Sequence, residues 1–384
     1  MNTVAGPLPA RYVTPKRARR FVPSSRKRSC TSSTRASGQA PDSAAVIHSG
    51  AVIAAGSLAR VALFGITVYL FFYTAYGPGA RTGSFTGIHW MYWAGAAAAL
   101  FACVDFYFQL PAPAGYGPQF VWLDSGVYRR AQGLFYEAGT LGNFCAFFLV
   151  MTGVCLSRAR VETPVPRAAL AIGGGLFLGA LVLSYSRSSV INVAVASAVL
   201  AWQNRRRIRW TRLLLFVATF SGLAGLVIWR IFPIFAEAYW QRLSGSADYL
   251  FSATAEVFSG RLANWQTLTG WIAAHPWEAL VGIGYKTLPY TDYLGAPLIG
   301  DNMYLSLFVE TGIAGLAALV ALHVAILRAA ARASHRTDRL ASFCGTWLMC
   351  FWAGQTVQMF SADLLTFWRV LPLYFWVLAL AVRE

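Results

Sequence analysis

The sequence predicts an all-α protein, a polytopic transmembrane helical bundle of about nine spans with one large extracytoplasmic loop. Three observations predict it. Of 384 residues, 57% are hydrophobic and only 12% charged, which is more apolar surface than a soluble core of this length needs. The apolar residues gather in runs close to the ~20 residues that cross a bilayer. Basic residues collect in the connectors between runs, and many of the 14 Trp stand near run ends, where amphipathic rings favour the headgroup layer.

From the N-terminus, residues 1–45 are rich in Arg, Lys, Ser, Thr and Pro, with Asp42 as their one acid and no sustained apolar run, so a basic disordered tail is predicted. Nine basic residues lie between Arg11 and Arg35. The tail lacks the apolar core of a secretory signal. Three readings stay open for it: an organelle transit peptide, a tether to anionic lipid, or an over-extended translation start. Residues 46–384 form the predicted membrane domain. Its runs are 52–75, 90–110, 135–156, 168–186, 188–203, 213–232, 303–327, 341–360 and 364–382. Between the fourth and fifth lies a polar knot, Ser184, Tyr185, Ser186, Arg187, Ser188 and Ser189.

Orientation follows from the connectors. Arg205, Arg206, Arg207, Arg209 and Arg212 mark one cytoplasmic loop. Arg328, Arg332, Arg336 and Arg339 mark a second, and Arg158, Arg160 and Arg167 a third. Together they set the 233–302 segment, the Arg187 knot and the 111–132 connector on the outer side, with the C-terminus inside. In the 233–302 loop, Leu262, Trp265, Leu268 or Thr269, and Ile272 recur at helical spacing, which predicts an amphipathic helix on the membrane or over a cavity. Nine spans would leave the basic tail outside, against the same rule.

The formal charge of +17 is therefore read as membrane topology or as attraction to an anionic substrate, and no nucleic-acid partner is expected. Six cysteines show no CxxC or Cys/His ligand spacing, and five of them lie in apolar runs, where they read as small packing residues. The five histidines are scattered, so no metal site is predicted.

Ionisable groups at membrane depth are costly, which makes those at span mouths functional candidates. On the outer side these are Arg129, Arg130, Glu137, Arg187 and Arg261, joined by Asp301 and Glu310. Several arginines with a few acids suit a phosphorylated substrate, because the guanidinium fork pairs phosphate oxygens at two points and stays charged. Each group has a plainer reading. Arg129 and Arg130 suit headgroup anchors, Arg261 a surface arginine, Glu137 a first-turn helix acid, Asp301 a cap for the helix beginning at Asn302, and Glu310 a partner to a neighbouring span. Arg187 fits a plain reading least, since it runs against the positive-inside bias. Arg60, Asp105 and Asp363 read as packing or topology features.

These features, in this order, resemble the O-antigen ligase and O-antigen polymerase superfamily of bacterial membrane glycosyltransferases, over about residues 125–325. The resemblance rests on Arg130, Gly133 and Phe135 leading into a span, the Ser186-Arg187-Ser188-Ser189 knot, and Gly260-Arg261 with Trp265. It continues through His275-Pro276, Gly282-Ile283-Gly284, Asp301-Asn302 with Tyr304-Leu305, and the run Glu310-Thr311-Gly312-Ile313-Ala314-Gly315. Each piece alone is common; their order is the specific signal.

The resemblance implies transfer of a glycan from undecaprenyl diphosphate to an acceptor hydroxyl at the outer face of the inner membrane. No cofactor, nucleotide sugar or metal is implied. Arg187 and Arg261 match the arginines thought to hold the donor diphosphate, with Arg130 beside them. Two departures lean towards a polysaccharide polymerase: Asp301 stands where ligases commonly carry His, and Glu137 is an acid that their third-span motif usually lacks. Family members commonly have about twelve spans. Aligning the first run here with their fourth span resolves the parity conflict and implies a truncated or mis-started chain.

The expected function is polymerisation of lipid-diphosphate-linked repeats into O-antigen or exopolysaccharide. Arg187 and Arg261 would stabilise the leaving diphosphate, and Asp301, or second Glu137, would act as base with inversion at the anomeric carbon. A ligase moving finished glycan to lipid A core or protein is the alternative. A lipid-linked glycan transporter, or an inactive assembly partner, is the alternative from another class. Expected partners are the lipid-linked donor, the glycan acceptor and membrane lipids, with polysaccharide export or chain-length proteins as candidates.

Overall fold

Helices fill most of the apolar runs. The fold comes from a computed structural model that describes residues 51–77, 85–111, 119–123, 126–159, 163–205, 230, 261–289, 293–295, 298–363, 367 and 369–383. The basic tail, the 213–232 run apart from Arg230, and residues 233–260 of the long connector lie outside the described residues. All described elements belong to the unit Ala44–Glu384.

In chain order the helices are α1 (Ala51–Tyr76), α2 (Thr86–Phe108), α3 (Ala138–Ser157), α4 (Arg167–Leu183) and α5 (Arg187–Gln203), then α6 (Arg261–Ala274), α7 (Pro276–Val281), α8 (Met303–Ser334), α9 (Arg339–Gln358) and α10 (Leu371–Val382). Among the described residues α2, α3 and α8 are long and apolar enough to cross a membrane, and α4 and α10 are shorter apolar helices. In the last run, expected from residue 364, the described helix begins at Leu371, after a turn at 369–370.

The all-α expectation takes one correction. Strands β1 (Phe120–Leu123) and β2 (Gly126–Arg129) pair antiparallel in the connector before α3, with Phe120 opposite Arg129. Aromatic and β-branched residues such as Phe120, Val121, Val127 and Tyr128 suit a pleated ribbon. The hairpin is fixed to the end of α2 by Arg129, whose guanidinium pairs with the buried Asp105 carboxylate. Asp105 also accepts from the Gly133 backbone N–H, and Gln109 bonds both the N–H and the carbonyl of Arg129. Arg129 is thus a buried structural cation and not the headgroup anchor its position in sequence suggests.

Helices α3 and α9 form the centre of the bundle, buried along most of their length. Trp347 on α9 stacks over Phe147 of α3 and donates its indole N–H to the Phe147 carbonyl at 2.8 Å. A polar layer crosses this core. The amide of Asn143 on α3 donates to Gln355 and Gln358 of α9, both at 2.8 Å, and Asn192 of α5 donates to the same two carbonyls. Amide pairing of this kind glues helices where hydrocarbon offers no other partner. The described cysteines are free, and Cys145, Cys155, Cys344 and Cys350 are buried among apolar side chains, in keeping with a packing role.

Helix α8 breaks at Gly312, whose φ of 68° is left-handed. The break releases the Val309 and Glu310 carbonyls from the helical ladder, and the turn after α7 takes them: Ile283 N–H donates to Val309 O at 3.0 Å and Gly284 N–H to Glu310 O at 2.8 Å. Every backbone group freed at membrane depth needs such a partner. The Gly-Ile-Gly and Glu-Thr-Gly motifs, 26 positions apart counting from Gly284 to Glu310, therefore meet as one joint. A Cβ on Gly312 would stand 2.2 Å from the Leu280 carbonyl oxygen. Gly312→Ala is therefore expected to destabilise the fold by more than about 1 kcal/mol, seen as a lower melting temperature in detergent. An unchanged melting temperature would mean that the joint tolerates a side chain.

Candidate active site

The pocket lies where α5, α6, the turn after α7, the start of α8 and the segment after α9 converge, in a cavity of about 470 Å³. Of the seven span-mouth candidates, Arg130, Glu137, Arg187, Arg261, Asp301 and Glu310 line it, and Arg129 does not. Lys286 and Asp363 complete a wall with four cations and four carboxylates.

Arg187 is the first residue of α5 and exposed to the cavity, with Ser186 as N-cap. The first amides of a helix have no helical acceptor and carry the positive end of its dipole, so the helix start and the guanidinium favour an anion together. The knot that fixes it is tightly held. The Ser186 and Ser189 hydroxyls are 2.8 Å apart, and Gln358 donates to Ser189 at 3.0 Å, tying the knot to the polar layer of the core. Gly142 of α3 admits the knot at close range: a Cβ there would meet Ser186 Cβ at 2.7 Å. Arg130 reaches the same knot from the hairpin side, Nε donating to Ser184 O at 2.8 Å, which anchors it to protein and not to headgroups.

Arg261 is the first residue of α6, and its Nε donates to Asp301 Oδ2 at 2.9 Å, with both side chains about one-third exposed or more. The helix expected in this segment is present, and Leu268 and Trp271 give its buried face, packed with Leu288 and Val309. Trp265 donates its indole N–H to Gly300 O at 2.7 Å, holding the strand of chain that carries Asp301. Asp301 is not the helix cap. Asn302 takes that position, its Oδ1 accepting from Leu305 N–H at 3.1 Å, because the side chain nearest the first free amides has the shorter reach. Glu137 likewise precedes the first turn of α3, in extended backbone with no side-chain cap bond.

Two residues of the wall were not singled out as site candidates. Lys286 Nζ donates to Asp363 Oδ2 at 2.5 Å, and both side chains are largely buried. Burial disfavours the Lys286 ammonium, but the Asp363 and Glu310 carboxylates outweigh it and raise its pKa above the ordinary lysine value. The resulting stabilisation is complete below the unfolded lysine value and is lost only as pH rises through the raised folded one. Asp363 had read as a packing feature and Lys286 lay in a turn. The signal that points to Asp363 is an ionisable residue at the mouth of an apolar run, whereas Lys286, inside the 233–302 connector, carries no such signal. Glu310, read as pairing with a neighbouring span, instead accepts from the backbone N–H of Leu288 at 3.3 Å.

Backbone strain marks the same place. Among the described residues four non-glycine positions have left-handed φ, and three of them, Tyr185 (51°), Lys286 (62°) and Asp301 (45°), line the pocket. Such outliers persist only where their surroundings impose them, and they cluster at functional sites.

The apolar helices and the cleft lined by arginines and carboxylates describe a membrane protein with a charged cavity. Residues 172–320 match the family model described as O-antigen ligase, a similarity that supports the resemblance drawn from the motifs. The match covers Arg187, Arg261, Lys286, Asp301 and Glu310, while Arg130, Glu137 and Asp363 come from outside it. No curated protein matches the chain.

Proposed function

We propose that the protein polymerises undecaprenyl-diphosphate-linked oligosaccharide repeats into O-antigen or exopolysaccharide, working at the outer face of the bacterial inner membrane. The observation that carries this reading is the meeting of Arg130, Arg187 and Arg261 with Asp301 and Glu137 around one cavity. Residues 46–384 are taken as the membrane domain with about nine spans, and 233–302 as its periplasmic loop. The polar groups gather at one end of the bundle beside that loop, which favours an enzyme over a transporter with sites at the midplane.

In this reading Arg187, the start of α5, Arg261 and Arg130 hold the donor diphosphate. The Arg261–Asp301 pair is the resting arrangement, and an arriving diphosphate competes for Arg261 and frees the carboxylate. Asp301 then takes the proton of the acceptor hydroxyl as its oxygen bonds to the anomeric carbon. The bond from that carbon to the phosphate oxygen breaks, and its electron pair leaves with undecaprenyl diphosphate. The new linkage is inverted. Glu137 is the second candidate for the base. No cofactor enters this scheme. A ligase that moves finished glycan to lipid A core or protein is the second reading, favoured by the description of the matching family.

The site's side of the membrane is tested by labelling intact cells with an impermeant maleimide, in a chain with Cys30 and Cys103 replaced by serine. Gln266→Cys on the exposed face of α6 is expected to react and His335→Cys, after α8, to stay protected. The reverse pattern would remove the case for an outer-face enzyme.

A further inference from the structure

We infer that Lys286 is a further phosphate-binding cation of the donor site, held in the resting protein on Asp363 as a counter-ion that the donor diphosphate displaces. The inference rests on the donor-site reading above and adds a residue to it.

Three observations carry it. Lys286 is built into the cavity wall on left-handed backbone, at φ 62°, a conformation that a lysine adopts only where the surroundings hold it. Its turn is anchored on both sides, by Gly284 N–H to Glu310 O at 2.8 Å and by Leu288 N–H to the Glu310 carboxylate at 3.3 Å, so the backbone that carries it is fixed to α8. Its partner, Asp363, lies 77 residues away on the segment after α9, and both line the cavity that Arg187 and Arg261 line. The pair thus has the same form as Arg261–Asp301: one cation and one carboxylate facing a cavity that would receive a dianion. Lysine is a compact point charge with three donors, which suits a phosphate oxygen beside arginines that grip at two points.

A purely structural ion pair makes the opposite forecast for one of its members. If the pair only ties two segments together, losing either partner harms the site alike. If Asp363 competes with phosphate for Lys286, the two changes have opposite signs. The experiment measures binding of farnesyl diphosphate to the full-length protein in detergent, with farnesol as the control for the lipid tail. Lys286→Gln is expected to weaken binding about ten-fold, the usual scale for one charge-assisted contact. Lys286→Arg is expected to keep most of it, and Asp363→Asn to tighten it.

Unchanged binding in Lys286→Gln, in protein that elutes as a single species, overturns the inference, and so does equal weakening in Lys286→Gln and Asp363→Asn. Should Asp363→Asn yield no folded protein, the Lys286→Gln and Lys286→Arg pair decides alone. Arg187→Lys in the same assay separates the two levels of the argument. If that variant loses affinity and Lys286→Gln does not, only the role of Lys286 fails. If neither does, the donor site itself is misassigned.

Discussion

Arg187→Lys is expected to lose transferase activity by about a hundred-fold while the protein still folds and inserts, the scale found when one preorganised donor is removed from a developing negative charge. Arg187 begins α5 and lines the cavity, so its side chain would add a planar two-point contact to the positive end of the helix dipole. An ammonium keeps the charge but cannot reproduce that geometry. The knot around it is held by Ser186, Ser189 and Gln358, none of which the change touches, so the fold is expected to survive. Arg328→Lys, on the exposed far part of α8, serves as the control and is expected to behave as wild type. Arg158, in the connector after α3, is a poor control because it bonds Ser342 and Thr346 of α9. Near-normal polymer length and yield from Arg187→Lys would return this residue to a structural role.

Asp301→Asn is expected to abolish chain growth without lowering the protein level. Positioned bases contribute about a hundred- to ten-thousand-fold, enough to erase a polymer ladder on a gel. The substitution is a clean one for two reasons in the structure. Asn is among the few residues that tolerate the left-handed backbone found at Asp301, and the helix cap belongs to Asn302, so neither backbone nor cap is disturbed. The pair with Arg261 at 2.9 Å is exposed, and losing it costs little stability. Full activity in Asp301→Asn would pass the role of base to Glu137. Asp301→His tests the ligase-like alternative, since histidine also tolerates this backbone and restores the residue ligases commonly carry.

Much of this arrangement is legible in the sequence, and the reason is physical. Apolar runs end where the chain meets headgroups, so the bounds of α1, α3 and α5 follow the hydropathy closely. Arg187, in a connector that the basic loops lead one to expect on the side positive charge avoids, stands out in the sequence. The rest depends on tertiary approach. The break at Gly312 is silent in hydropathy because glycine is common in spans, and only its contact with the turn after α7 gives it meaning. Asp363 reads as a packing or topology feature and Lys286 draws no reading at all until the fold brings them to 2.5 Å. The hairpin before α3 is short, with four residues in each strand, and falls in the 111–132 connector, where so few residues carry little periodicity. Asn143, Asn192, Gln355 and Gln358 stand inside apolar runs and are visible as costly amides, yet their convergence on one another is not.

The central claim is that this cavity joins lipid-linked repeats to one another. It is tested most directly by reconstituting the purified protein in liposomes with a single undecaprenyl-diphosphate-linked repeat and resolving the products by size. A ladder of products one repeat apart, with undecaprenyl diphosphate released and the ladder lost in Asp301→Asn, is the expected result. Transfer of preformed polymer to lipid A core, with no extension of single repeats, would contradict it.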